Sequence, residues 1–226
     1  GSRGQSVCCS ETEARNAIRL AQNLSDDGHA IIEKYMGEKE DFQVTYLVID
    51  GEAYVVRTAD RYLGPKEENL DRVAIALSSP SSNSDLYMDK VHQHVVDMLN
   101  AVGIRNAPVF MQGFVDGDTV RFYDPGLRFP GGDYDRIFTS IMGVNLMKLL
   151  IELAFTGEIK RTKLLTQNAL YLKGHTIFTL HSAVRPGKIK SITEKNTLLH
   201  IDGVHFVSFR HNVGDEVAFT GNVSHR

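Results

Sequence analysis

The sequence has only two cysteines, and they are adjacent at Cys8 and Cys9, so they cannot join distant parts of the chain. It has no stretch near the ~18 consecutive apolar residues of a membrane span. No signal peptide is visible at its polar start. A net charge of −3 gives no general basic field, so we expect no nucleic-acid partner. These absences indicate a reduced, soluble, cytoplasmic protein with no membrane partner.

With 226 residues and 42% hydrophobic content, the chain is long enough for one large domain or two small ones. It opens abruptly and ends on 221–226 without a terminal helix, so we expect a fragment of a longer protein. Gly1-Ser2 is also compatible with the remnant of an expression tag, and the sequence leaves both origins open.

The stretch 107–132 concentrates the residues with chemical potential. Two strand-like runs, 107–115 and 119–124, flank a turn at 116–118. Asp124 ends the second run, and Arg128 and the pair Gly131-Gly132 follow it. A carboxylate holds a hard cation, a guanidinium takes phosphate oxygens as a planar fork, and glycines let backbone N–H groups approach an anion. The stretch therefore predicts a site for a metal-bound polyphosphate or an acyl phosphate.

The geometry of this site depends on the length of the turn. If the loop is the three residues 116–118, residue 112 opposes 122 and Asp124 lies on the same face as Gln112. With a two-residue turn at Asp116-Gly117, Gln112 and Asp124 face opposite sides. The site hypothesis requires the longer turn, and the plain alternative is a surface hairpin with one exposed acid.

Arg128 follows Asp124 through Pro125-Gly126, a pair that bends the chain. The bend would let the guanidinium fold back toward Asp124. The alternative is an exposed surface ion pair, which contributes ~0–1 kcal/mol.

The rest of the chain indicates an α+β protein. Ser10 and Glu13 form a capping box for a helix that runs to Leu24. Further helices are predicted from 86 to 102, ended by Gly103, and at 133–142 and 145–156, ended by Gly157. Strands are predicted at 5–9, 29–35, 42–49 and 52–58, the last two joined by Asp50-Gly51. The run 78–84 predicts a flexible polar loop, and 159–226 predicts a small β-rich subdomain with short strands at 176–184, 188–193, 204–210 and 216–220.

Two weaker patterns have plain alternatives. Gly1-Ser2-Arg3-Gly4 predicts either a glycine-rich loop over phosphates or an ordinary terminal loop or tag. The run 31–36 predicts either a hinge whose backbone pairs with an adenine edge or an ordinary strand end. The histidines predict no metal site, because His92 and His94 lie two apart on a helix and the others lack ligand spacing. No serine lies in a G-x-S-x-G elbow.

Taken in this order, the motifs resemble those of ATP-grasp enzymes. Gly1-Ser2-Arg3-Gly4 is similar to the glycine loop over the phosphates. Glu33-Lys34-Tyr35-Met36 is similar to the adenine hinge of biotin carboxylase and its relatives, with Glu33 and the backbone of Lys34 and Met36 against adenine. The resemblance places Asp41 and Gln43 near the ribose and phosphates and Phe114 beneath adenine.

The same resemblance assigns the hairpin residues. Gln112 and Asp124 occupy the places of the two metal-binding acids. Arg128 matches the arginine of the E-x-N-x-R pattern, which steadies a phosphate or acyl phosphate, and Gly131-Gly132 matches the glycine pair, at the substrate.

The resemblance covers about residues 1–158 and implies a partial ATP-grasp fold. It divides the chain into a lid-subdomain tail (1–36), a metal- and phosphate-binding subdomain (37–158) and a β-rich extension (159–226), the last similar to ligases related to the carbamoyl-phosphate synthase large subunit. The implied cofactors are ATP and Mg²⁺ (or Mn²⁺), and the implied partners are a small-molecule carboxylate and an amine. A homodimer is compatible with it.

The implied function is ATP-dependent activation of a carboxylate as acyl phosphate for attack by an amine. The alternative is a non-catalytic nucleotide-binding or scaffold module with a degenerate site. Three departures bear on this choice: Gln112 replaces an acid, Gly126 replaces an asparagine, and Asp124 is one methylene shorter than the usual glutamate. The upstream phosphate-binding lysine and the N-terminal subdomain are absent from the chain, so we expect the chain alone to be inactive. Arg57 and Arg61 either reach a substrate anion or are solvated charges.

Overall fold

The computed structural model of the chain describes residues 6–37, 39–63, 74–131, 134–158, 169–181 and 186–217. The chain forms two compact units, residues 1–39 and residues 40–226. The sequence-predicted site residues therefore fall into two groups, one in each unit.

The first unit contains helix α1 (Glu11–Asn23), which begins with the predicted capping box. Oγ of Ser10 accepts a hydrogen bond from the backbone N–H of Glu13, and the Glu13 carboxylate accepts from the N–H of Cys9 at 2.7 Å. The glutamate therefore reaches the N–H before the cap residue, and the prediction of a capped helix is confirmed.

The strands predicted at 5–9 and 29–35 are wrong for the residues that the structure describes. Residues 6–10 and 29–37 contain no strand. Ile31 and Ile32 are 88% and 76% exposed. Their β-propensity meets neither a partner strand nor a packed face within this unit, and β-propensity acts mainly through such contacts.

The second unit is built on a six-stranded antiparallel sheet in the order β5-β4-β1-β2-β3-β6. All nine residues of its central strand β1 are buried. The strands are β1 (Asp41–Ile49), β2 (Glu52–Leu63), β3 (Ala74–Ser79), β4 (Ala107–Asp116), β5 (Thr119–Gly126) and β6 (Ile177–Leu180).

The predicted hairpin at Asp50-Gly51 is confirmed. Ile49 pairs with Glu52, and Asp50 and Gly51 have φ angles of 54° and 87°. A two-residue type I′ turn requires positive φ at both positions, which aspartate and glycine tolerate better than most residues.

One face of the sheet is covered by α2 (Ser84–Lys90) and α3 (His92–Ala101). The single helix predicted from 86 to 102 is therefore divided at Val91, and Gly103 ends it with a φ of 77° as predicted. Apolar and aromatic residues of β1 and β4 pack against these helices: Phe42, Val44, Tyr46, Val48, Val109 and Met111.

The polar loop predicted at 78–84 is shorter in the structure and covers only residues 80–83. Ser79 ends β3 and Ser84 begins α2. Ser79, Ser81 and Ser84 are each at most 5% exposed. Their hydroxyls have partners: Ser84 Oγ lies 2.7 Å from Thr58 Oγ1, and Ser81 Oγ donates to Asp60. Short hydroxyl side chains can satisfy buried polar groups locally, so a serine-rich run can form a fixed connection.

The opposite face is covered in part by α4 (Tyr134–Met142) and α5 (Leu146–Thr156), which confirm the two helices predicted there. Asn145 caps α5 through the N–H of Lys148, and Gly157 ends it with a φ of 75°. These helices pack on Leu47, Ile49 and Val56. The part of this face nearer the start of β1 carries the polar residues discussed below.

Beyond α5, the described residues form β6, a short 3₁₀ turn at 172–174, β7 (Gly187–Lys188), α6 (Lys195–Leu199) and β8 (Glu216–Val217). β6 joins the main sheet beside β3, and β7 and β8 form a separate pair. Of the strands predicted here, 204–210 does not form, and 188–193 is reduced to the end of β7. The described part of the β-rich region thus contributes one strand to the main sheet.

No single helix among the described residues is long and apolar enough to cross a bilayer. α4 and α5 reach the required length and composition only as a pair that is bent by 101°.

Candidate functional site

The β4–β5 hairpin brings Gln112 and Asp124 together. Asp116 pairs with Thr119, so the turn is the two residues 117–118, and the predicted three-residue turn is wrong. The register shifts between Gln112 and Gly113 because Tyr123 is an extra residue in β5. Gln112 therefore lies directly opposite Asp124, on the same face, as the site hypothesis requires. The bulge at Tyr123, and not a longer turn, places Gln112 and Asp124 on the same face.

The side-chain amide of Gln112 links two groups of opposite charge. In the orientation that satisfies its neighbours, its nitrogen donates to Oδ2 of Asp124 at 3.0 Å. Its oxygen accepts from Arg61, at 2.7 Å from Nη1 and 3.1 Å from Nε. An amide can do both at once, whereas an ionised acid can only accept.

Arg61 is held by a second acid on the neighbouring strand. Nη1 of Arg61 lies 2.6 Å from Oδ2 of Asp41, and these side chains are only 16% and 5% exposed. Nη1 also donates to the Tyr123 hydroxyl at 3.1 Å, and that hydroxyl lies 3.3 Å from the Asp41 carboxylate. Burial, with the nearby Asp41 charge, raises the pKa of Tyr123 to about 12, so the hydroxyl remains a donor at neutral pH.

These contacts define a connected polar patch on the sheet, formed by Asp41, Arg61, Gln112, Tyr123 and Asp124. It spans strands β2, β1, β4 and β5. Adjacent buried positions of β1 and β4 point to the α2–α3 face, so alternation places the patch on the α4–α5 face.

Two further residues border the polar patch. Phe114, the sequence-predicted adenine contact, stacks on Tyr123 with ring centroids 4.8 Å apart. Gln43 pairs in register with Gln112 and is 2% exposed. Its Nε2 has no hydrogen-bond partner within the described part of the chain. A buried amide nitrogen in that state is costly, which is often a sign of a missing water or ligand.

Asp41 and Asp124, one of the predicted metal ligands, differ in how many hydrogen bonds their carboxylates already accept. The Asp41 carboxylate already accepts from Arg61 and Tyr123. Asp124 is exposed, and of its two carboxylate oxygens only Oδ2 receives the Gln112 amide. Among the residues that the structure describes, no group of three or more histidines, cysteines and acids comes together as a metal cage.

Arg128 does not pair with Asp124, so the predicted fold-back is not formed. Its guanidinium lies over the ring of Phe110, with Cζ 4.9 Å from the centroid, and Nη1 donates to the carbonyl of Phe129 at 3.1 Å. Phe110 and Gln112 share a face of β4, since they are two residues apart. Arg128 therefore lies beside the polar patch without belonging to it.

The remaining sequence-predicted residues are placed as follows. Glu33 and Lys34 are exposed and Met36 is half-buried, in the irregular part of the first unit. Gly131 is exposed in the connection to α4. Gly1, Ser2, Arg3, Gly4 and Gly132 lie outside the described residues.

The sequence did not predict Tyr123 as part of the site, and it did not predict the contact between Arg61 and Gln112. One feature of the sequence could have indicated the position of Arg61. If the register from Ile49 and Glu52 continued without interruption, Asp41 would face Asp60, and like charges directly opposite each other are destabilising. The structure avoids this with a bulge at Val56, which places Arg61 opposite Asp41.

No protein-family model matches the chain, and no curated protein matches it by sequence. In structure it is similar to an L-amino acid ligase from Bacillus licheniformis, with a TM-score of 0.64 and 18% identity over 80% of this chain and 43% of that one. The chain carries part of an ATP-grasp fold. A phosphoribosylglycinamide synthetase from Anaerococcus prevotii gives a TM-score of 0.60 and 16% identity, over 92% of this chain and 51% of that one.

A third similar structure has a bound nucleotide. It is the biotin carboxylase domain dimer of the Hydrogenobacter thermophilus 2-oxoglutarate carboxylase, in complex with MgADP, ADP and bicarbonate. Its TM-score is 0.57 and its identity 19%, over 75% of this chain and 37% of that one. The chain thus spans about half or less of the length of these proteins. The ATP-grasp fold predicted from the motifs is confirmed, and identities this low establish the fold alone.

Proposed function

We propose that the chain is the metal- and phosphate-binding part of an ATP-dependent ligase, which activates a carboxylate as acyl phosphate for attack by an amine. The polar patch carries this proposal, because it places one open carboxylate and a fixed guanidinium on the face of an ATP-grasp sheet. The names of two similar proteins, an L-amino acid ligase and a phosphoribosylglycinamide synthetase, support a reaction that joins two small molecules. A carbamoyl-phosphate-synthase-like reaction is the finer form of this hypothesis.

The donor set fits one Mg²⁺ bound mainly by nucleotide. Mg²⁺ usually keeps one or two carboxylates plus substrate phosphates and water. Asp124 offers one carboxylate oxygen without a partner in the described residues, whereas the Gln112 oxygen is occupied by Arg61. We therefore assign Asp124 as the main protein ligand and Gln112 as its orienting neighbour. A bound Mg²⁺ would draw negative charge from the phosphates.

The chain's own residues then divide the remaining tasks. Phe114 offers an aromatic surface that is already stacked on Tyr123. Asp41 holds Arg61 in place, and Arg61 adds a positive charge toward the phosphates. Arg128 would leave the Phe110 ring and the Phe129 carbonyl, both contacts at an exposed site, and stabilise charge on the transferring group. Such reactions depend largely on positioning and electrostatics.

The other sequence-predicted contacts remain part of the same proposal. Glu33, Lys34 and Met36 are assigned to adenine, the loop Gly1–Gly4 to the phosphates, and Gly131 and Gly132 to the substrate. A cytoplasmic location and a homodimer belong to this proposal as well, and one similar structure is a domain dimer.

A second candidate function has an observation of its own. Arg61 occupies the oxygen of Gln112, so the place of one metal-binding acid is held by an amide and a resident cation. This arrangement suits a module that binds nucleotide without transferring its phosphate.

Calorimetry of the full-length protein with ATP and Mg²⁺ tests both functions, followed by phosphate release in the presence of single amino acids and other small carboxylates. A ligase binds ATP and releases phosphate with at least one substrate. That release is lost in Asp124→Asn and Arg128→Ala and retained in Arg105→Ala, an exposed arginine near the Asp50-Gly51 turn. Binding without release on any substrate supports the non-catalytic module. No ATP binding by the full-length protein rejects both.

A further inference from the structure

Arg57 on β2 is a charged side chain in the sheet with no charged partner among the described residues. It is 3% exposed. Its Nε donates to Oγ of the buried Ser79 at 3.1 Å, and its Cζ lies 4.2 Å from the centre of the Tyr134 ring. Both partners are neutral. No carboxylate within the described part of the chain forms an ion pair with it. Its burial contradicts the alternative that Arg57 is a solvated charge.

The local electrostatics leave Arg57 in need of a counter-ion. Burial lowers the pKa of Arg57 to about 10. Tyr134 opposes this change, and the nearby charge of Arg61 adds to it. The group is therefore still protonated at neutral pH. A buried charge without an opposite charge is unfavourable, and Arg61 has its own acid in Asp41.

A second polar group without a partner lies beside Arg57. Thr45 is the cross-strand neighbour of Arg57 and is 1% exposed. Its Oγ1 has no hydrogen-bond partner within the described residues. Thr45 also lines a pocket of about 50 Å³, which is room for one carboxylate or a few water molecules.

The pocket lies next to Arg57, which is not itself one of its lining residues. Its wall includes Val56, which precedes Arg57 in the chain, and Tyr134, whose ring lies beneath the guanidinium. The wall is otherwise mostly apolar, formed by Phe129, Pro130, Leu146 and Met147, with Asp135 as its one carboxylate. A small group with oxygen acceptors would satisfy Thr45 and offset the charge of Arg57, whereas an apolar group would satisfy neither.

We infer that Arg57 and Thr45 form a receptor for a small oxyanion, next to the ring of Tyr134. The oxyanion is either a carboxylate or a phosphoryl group, both of which match a guanidinium fork. This inference rests on the proposed function only for what the anion belongs to: a substrate carboxylate or a phosphate of the nucleotide. Binding of the isolated anion requires no ATP.

The test is a titration of the whole chain with sodium acetate and, separately, with inorganic phosphate, at constant ionic strength set with sodium chloride. Thermal unfolding and the Nε–H signals of arginine in ¹⁵N NMR report binding. We expect saturable stabilisation by at least one of the two anions and a shift of the Arg57 signal. Saturation by acetate identifies a carboxylate site, and saturation by phosphate alone identifies a phosphoryl site.

Three variants locate the effect. Thr45→Val removes only the hydroxyl without a partner and keeps the volume, so it should fold and bind the anion ~5-fold more weakly, as for one lost hydrogen bond. Arg57→Lys should weaken binding at least ~10-fold, because an ammonium cannot form the fork. Arg121→Lys, at an exposed arginine of β5, should bind as the wild type does.

The inference is overturned if neither anion stabilises the wild-type chain beyond chloride, or if Thr45→Val retains full affinity. If Arg57→Lys does not fold, Thr45→Val and the wild-type NMR titration still decide the question. Failure of ATP binding with saturable anion binding rejects the proposed function and leaves the receptor intact. ATP binding without saturable anion binding rejects the receptor and leaves the proposed function intact.

Discussion

A methyl group added at Gly113 should displace strand β5 and so disturb the pairing of Gln112 with Asp124. It lies in β4 beside the register shift that aligns Gln112 with Asp124. A Cβ at this position would lie 2.7 Å from the carbonyl oxygen of Arg121 and 2.9 Å from Cγ1 of Val120. The carbonyl belongs to the backbone of the paired strand and cannot rotate away, so Gly113→Ala must push β5 outward.

The cost follows from overpacking in a closely paired hairpin. Inserting a methyl group into a site that cannot relax typically costs ~1–3 kcal/mol, and we expect about 2 kcal/mol for Gly113→Ala. In a domain of this size, each kcal/mol lowers the melting temperature by roughly 2–4 °C. The expected decrease is therefore about 4–8 °C.

Urea unfolding and thermal melts of the full chain measure this loss, with Gly126→Ala as the matched control in the same hairpin. A Cβ at Gly126 meets only the Arg128 side chain, at 3.7 Å and beyond, which is ordinary contact. Gly126→Ala should change stability by less than ~0.5 kcal/mol. Equal stability of the two variants would refute the close approach of β5 at Gly113, and with it the bulge that aligns the site.

Two further outcomes follow from the buried polar groups. Arg61→Met should destabilise the chain by about 2–3 kcal/mol in urea unfolding, because it leaves the buried Asp41 carboxylate without the Arg61 cation. Arg121→Met, which breaks an exposed ion pair, should cost below ~1 kcal/mol. Equal losses of stability in the two variants would contradict the contacts of the polar patch. Burial lowers the pKa of His92 below its ordinary 6.5. As the pH falls, the unfolded chain therefore takes up this proton before the folded chain does. The contribution of His92 to stability is complete above pH ~6.5 and decreases as the pH falls below it. His92→Gln should flatten the profile of stability against pH between pH 7 and 5, as measured by urea unfolding.

The elements that follow from local rules were predictable. The capping box at Ser10, the Asp50-Gly51 turn and the helix ended by Gly157 depend on residues close in sequence, so their patterns carry over to the structure. The strand predicted at 29–35 and the bounds of the loop predicted at 78–84 are wrong for the opposite reason. A strand needs a partner and a packed face, and a serine run is fixed or flexible according to what its hydroxyls meet.

The sequence by itself indicated the ATP-grasp fold and placed Gln112 and Asp124 on the two arms of one hairpin, because both depend on the order of motifs along the chain. Only the tertiary structure decided which side chains meet. Two extra residues, Val56 in β2 and Tyr123 in β5, shift the registers of their strands and bring Arg61 and Asp124 to Gln112, while Arg57 is buried with no acid paired to it in the described part of the chain. A β-bulge has no fixed local signature, since it forms where packing on both faces of the sheet and the pairing of charges across strands favour it over regular pairing.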